Sequence, residues 1–132
     1  MKQEDKQLLL QDLCARLPYR VKVTFAESSG REDCILNSQH LNSTYAIEYL
    51  GLKPYLRPMS SMTEEERELL NRTALENNLK CIEEEDPQEV FLLRVKHDVE
   101  ELAYLYKHHY DVNGLIPAGL ALSTDEFNPY NN

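Results

Sequence analysis

The chain predicts an α+β fold: one N-terminal helix, a small three-stranded antiparallel sheet or partial barrel, then two or three helices and an apolar C-terminal segment. Three observations predict it. Leucines near the start recur at three- and four-residue steps up to Pro18, short segments after it alternate apolar and polar residues, and the second half returns to helical spacing with a large excess of acids. At 132 residues, 42% apolar and 28% charged, the composition suits a single domain spanning residues 1–132 without disulfide or metal staples.

The first helix runs from about Glu4 to Leu17, with Leu9, Leu10, Leu13, Cys14 and Leu17 on one face, and Pro18 ends it. In the next segment, Arg20–Ala26, Val21, Val23 and Phe25 alternate with Arg20, Lys22 and Thr24, the signature of a half-buried strand. A turn around Gly30 leads to a second strand over Arg31–Leu36, and Tyr45, Ile47 and Tyr49 alternate in a third over Thr44–Tyr49.

A joint at residues 53–62 then separates the sheet-containing half from an acidic helical half. Pro54 and Pro58 each fix φ and remove a backbone donor, so this stretch is expected to be irregular. Thr63 and Glu66 form a capping-box pattern, and Glu64, Glu65 and Glu66 sit in the first helical turn where the helix dipole favours negative charge. That helix is expected to reach about Asn78. Residues 88–96 read either way: Asp86-Pro87-Gln88-Glu89 is a good helix start, yet Val90–Val95 is rich in strand formers, and the cap tips the reading to helix. A further helix from Asp98 to about Tyr110 places Val99, Leu102, Ala103, Tyr106 and His109 on one face. The apolar run Leu115–Leu122 is expected to dock on the core, and Ser123–Asn132 to fray at its end.

The formal net charge is −9, and it is uneven: Met1–Met62 holds 8 basic and 7 acidic residues, Thr63–Asn132 holds 6 and 16. Such a field opposes binding to phosphate backbones and anionic membranes, and it suits a protein partner with a basic face. The first residues lack the apolar run of a signal peptide, so a cytoplasmic location is expected. Cys14, Cys34 and Cys81 have neither disulfide-framework nor zinc spacing, and read as buried free thiols.

No pattern requires a particular reaction, and no catalytic, cofactor-binding or metal residue is assigned. His108, His109 and Asp111 invite an acid/base or metal reading, but neighbouring helical residues point about 100° apart and do not converge on one ion. A cysteine among the three could pair with His40 or His97 as a nucleophile, an option open to any chain with this many of each. Arg16, Arg20, Lys22, Lys53 and Arg57, with Tyr19, Tyr45, Tyr49 and Tyr55, would make a phosphate- and base-binding face only if they gathered on one side. Within the joint, Tyr55, Leu56, Arg57 and Met59 have no backbone reason to be there. They are the candidate interaction surface.

Three blocks carry a resemblance: Asp12-Leu13-Cys14-Ala15-Arg16-Leu17-Pro18-Tyr19, the joint from Lys53 to Glu66, and His108-His109-Tyr110-Asp111 with Gly114-Leu115-Ile116-Pro117 and Gly119-Leu120-Ala121-Leu122. Together they cover about a third of the chain and are similar to a family of small bacterial proteins of no assigned function, associated with gut commensals and prophage or other mobile-element regions. Val112-Asn113 departs from the aromatic-basic pair of that family. The resemblance implies no activity, cofactor or site residue. The functional expectation is a non-enzymatic cytoplasmic interaction or accessory protein of a mobile element. The alternatives are an acidic nucleic-acid mimic that inhibits a DNA-binding protein, and a small hydrolase using His or Cys.

Overall fold

The computed structural model describes residues 2–28, 30 and 32–130. The protein is α+β, with four α-helices and a four-stranded mixed sheet among these residues. It divides into two compact units, one of Met1–Met59 with Tyr106–Asn132 and one of Ser60–Leu105. The first boundary falls inside the 53–62 joint.

In the first unit, α1 (Gln3–Arg16) buries Leu9, Asp12, Leu13 and Arg16, four positions at helical spacing. Leu10 and Leu17 are half-buried, and Cys14 of the expected stripe is exposed, because the polar pair Asp12 and Arg16 takes the inner face instead. β1 (Lys22–Phe25) alternates as its sequence requires, with Val21, Val23 and Phe25 buried. It pairs antiparallel with β2 (Cys34–Ile35), shorter than the strand expected over 31–36, whose first residue lies outside the described ones.

The expected third strand at Thr44–Tyr49 is α2 (Tyr45–Glu48). Alternation of Tyr45, Ile47 and Tyr49 suggested a strand. The buried residues, however, are the adjacent Ala46 and Ile47, while Tyr45 and Tyr49 face out with their rings 5.3 Å apart, as i, i+4 neighbours on a helix do.

The third strand of the sheet is β3 (Leu52–Leu56), inside the stretch expected to be irregular. Pro54 is tolerated for a specific reason. The Leu36 N–H donates to Val21 O, so Val21 and Val23 direct their backbone groups to β2, and Thr24 and Ala26 direct theirs to β3. Ala26 N–H duly donates to Gly51 O at 3.0 Å. Val23 and Pro54 are therefore a non-hydrogen-bonded pair, and the proline nitrogen faces the other edge. There β4 (Leu122–Ser123) begins its parallel ladder only at Tyr55. The order is β2-β1-β3-β4, a mixed sheet where three antiparallel strands were expected; the added parallel strand comes from the apolar C-terminal run. Leu115, Leu120 and Ala121 of that run join Leu9, Leu13, Val21, Val23, Ile47, Leu52 and Leu56 in one core. Asn131 and Asn132, at the end expected to fray, lie outside the described residues.

The second unit is a helical hairpin. Thr63 and Glu66 make the capping box, Thr63 Oγ1 accepting from Glu66 N–H and Glu66 Oε1 from Thr63 N–H, and start α3 (Glu64–Glu83). Asp86 accepts from Gln88 N–H and Pro87 opens α4 (Pro87–Lys107), so 88–96 is helical and one helix covers both segments expected from Pro87 on.

Candidate interaction surface

Asp12 and Arg16 of α1, Arg57 of the joint and residues 110–115 meet in the first unit as a polar knot. The Arg16 guanidinium is fully buried and bonds Asp12 through Nε at 2.6 Å and Nη2 at 3.0 Å. Arg16 Nη2 also donates to Tyr110 O at 2.7 Å, and the group lies 4.8 Å over the Tyr106 ring. Asn113 Nδ2 donates to Asp12 Oδ2, the oxygen that Arg16 Nη2 also bonds, at 2.8 Å. From the joint, Arg57 donates its N–H to His109 O, accepts from Asp111 N–H, and sits 4.2 Å over the Tyr110 ring. Asp111 spends both oxygens on Leu115 N–H and Ile116 N–H at 2.8 and 2.9 Å, capping the turn that sends the apolar run back to the core. Arg16, Arg57 and Asp111 of the three blocks thus each have a structural partner.

Of the candidate surface in the joint, Tyr55 is 7% exposed and Leu56 0%. Tyr55 donates its hydroxyl to Asp33, and burial together with that carboxylate raises its phenol above the usual range. Tyr55 and Leu56 are buried, Arg57 is half-buried, and Met59 is 45% exposed.

The histidine pair resolves differently from its helical reading. His109 lies beyond α4, in the left-handed region at φ 66°, where α4 was expected to present it on the apolar face. Its ring stacks flat on Tyr130 at 4.1 Å. Burial, then the charges of Arg16, His108 and Arg57, push its pKa down to about 4, so it is neutral near pH 7. Burial pushes the Tyr130 phenol up to about 12, and the hydroxyl bridges Lys22 N–H and Tyr55 O.

Among the Cys and His combinations, Cys34 and His40 come together, Sγ to Nε2, at 3.9 Å. The Asn37 N–H donates to His40 Nδ1 at 3.1 Å within a capping box. Nδ1 is therefore the lone-pair nitrogen and Nε2 carries the proton, so the neutral imidazole presents the thiol with a donor and not with a base. None of the three thiols is buried, contrary to the expectation from sequence: Cys14 is exposed, and Cys34 and Cys81 are intermediate. Among the described residues, no three His, Cys, Asp or Glu side chains gather as a metal ligand set. Of the residues named for a basic and aromatic face, Arg16 and Tyr55 are buried, Arg57 is half-buried, and Lys22 Nζ donates to Pro129 O, while Arg20, Tyr45 and Tyr49 are exposed.

Most of the exposed large apolar side chains lie on the hairpin. Neither α3 nor α4 has a buried residue. The helices meet through a partly polar seam in which Asn77 Nδ2 donates to His97 Nδ1 at 2.7 Å, and Tyr104 reaches Glu66 at 3.5 Å. With His97 turned to α3, the 100° step per residue puts Leu92, Val95, Val99 and Leu102 on the opposite side of α4. They are 56%, 42%, 61% and 44% exposed, and Phe91 beside them is 65% exposed. Leu75, Leu79 and Ile82 form a shorter exposed row on α3. The sequence carries this signal in Val99 and Leu102, which helical spacing sets on one face. The 4–3 spacing continuing back through Val95 and Leu92 could have revealed a second kind of face. Ser60–Leu105 also holds 13 acidic and 5 basic residues, net −8, against 10 and 9 in the remainder. No described helix is long and apolar enough to cross a membrane. No family model, curated protein or solved structure matches the chain.

Proposed function

We propose that this is a non-enzymatic interaction protein whose first unit is a structural scaffold and whose helical hairpin is the binding element. The observation that carries this reading is the five-residue apolar stripe of α4, left exposed on a 21-residue helix. Contiguous exposed apolar surface on a soluble chain marks an interaction site more often than an accident of folding. The tautomer of His40, the stacked neutral His109 and the spent carboxylate of Asp111 each favour binding over hydrolysis. The resemblance to mobile-element proteins suggests an accessory factor working in the bacterial cytoplasm, with another protein as its partner.

Affinity capture with mass spectrometry tests this. A wild-type bait recovers a specific set of chains, a Val95→Glu/Val99→Glu bait loses it, and a Met59→Ala bait keeps it. Identical recoveries from all three baits would refute the hairpin as the binding element. The acidic-mimic reading draws support from the charge of Ser60–Leu105. It requires the hairpin to displace DNA from a basic protein, with the effect vanishing at high salt.

A further inference from the structure

We infer that the partner covering the α4 stripe is a second copy of this chain, the two α4 helices pairing in parallel as a short coiled coil. This rests on the preceding reading of the hairpin as the binding element. Leu92, Val95, Val99 and Leu102 follow the 3–4–3 spacing of a and d positions, and so form a self-complementary seam that a copy of itself fills layer by layer. The five exposed side chains offer on the order of 500 Å² of apolar surface per copy, against about 800 Å² per partner in a standard stable interface. Flanking Glu89, Lys96, Asp98 and Ala103 make up the rest.

Charge then selects the orientation. In a parallel pair each g position faces the e position five residues on in the other copy. Phe91 then meets Lys96 and Asp98 meets Ala103, with no like charges opposed. An antiparallel pair that keeps the same four layers centres on residue 97, and sets Lys96 beside Lys96 and Asp98 beside Asp98. The Leu75, Leu79 and Ile82 row on α3 is a poorer seam for a copy of itself. It is three residues long, and the acids Glu83, Glu84, Glu85 and Asp86 follow it directly.

Sedimentation equilibrium on the full chain tests the inference. Wild type is expected to be dimeric at tens of micromolar, and Val99→Glu monomeric with unchanged far-UV circular dichroism. A second variant guards against a simple folding defect. With Cys14, Cys34 and Cys81 replaced by serine, Val99→Cys is expected to crosslink to itself on oxidation, whereas Val95→Cys mixed with Val99→Cys gains no heterodimer beyond the statistical share. Preferential 95–99 crosslinking overturns the parallel pairing. A wild-type monomer at all concentrations overturns the second copy: if Val95→Glu/Val99→Glu still abolishes capture of another protein, the hairpin stands as a binding element with a different occupant, and if capture is unchanged, both readings fall.

Discussion

Removing one member of the Asp12–Arg16 pair should be far more damaging than removing both. Asp12→Ala leaves a guanidinium at 0% exposure with its counter-ion gone, while the exposed Asn113 Nδ2 keeps the Tyr106 hydroxyl as a partner. Breaking a buried pair this way costs about 3–5 kcal/mol, because the surviving charge stays desolvated and unpaired. At roughly 3–5 °C per kcal/mol for a chain of this length, the melting temperature should fall by about 10–25 °C. The double substitution Asp12→Leu/Arg16→Met removes both charges and keeps comparable volume. Its residual cost is the donor lost by Tyr110 O and the cation lost from Tyr106, about 1–3 kcal/mol. Urea unfolding followed by the near-UV signal of the tyrosines gives both values, with an unchanged m-value confirming that the denatured state is the same. A single substitution costing under about 1 kcal/mol, the range of a solvated ion pair, would refute the knot as the anchor of the first unit. So would a double variant whose loss equals the sum of the two single ones.

Other consequences follow from particular contacts. The unfolded His109 imidazole takes up its proton near pH 6.5 and the folded one only near pH 4, so the unfolded chain holds the extra proton between these values. Stability should fall by about 2–3 kcal/mol as pH drops through that window, and His109→Asn, which tolerates the left-handed backbone, should remove His109's share of the slope in thermal melts. Gly51 has φ 64° and a Cβ there would stand 2.9 Å from the Glu27 backbone nitrogen, whereas Gly119 at φ 76° has open space around it. Gly51→Ala should therefore cost about 2–4 kcal/mol and Gly119→Ala about 1, compared by chemical denaturation.

Local chemistry was the most legible part of the sequence. The first helix, the β1 alternation, the Thr63 cap and the docking of Leu115–Leu122 all follow from spacing and capping that tertiary context left alone. Two expectations failed where tertiary pairing overrode local preference. Tyr45–Tyr49 satisfies both a two-residue and a four-residue period, and only the burial of Ala46 beside Ile47 distinguishes them. Pro54 argued against a strand because its donor is missing, but its side of β3 is not asked for a donor at that residue. The joint misled for a related reason: Tyr55 and Leu56 had no local role because their role is to meet Asp33, Tyr130 and the core across the fold. The α4 stripe was legible only as an apolar face, because apolar residues at helical spacing announce burial without saying against what.

Hydrogen exchange on the full chain at two concentrations spanning the dimer equilibrium tests most directly whether the α4 stripe is an interface between copies. Amides of residues 92–102 should lose on the order of tenfold or more of their protection on dilution, by mass action, while those of Leu9, Val23 and Leu56 stay unchanged. Protection of 92–102 that is equal at both concentrations, and equal again in Val99→Glu, would contradict it.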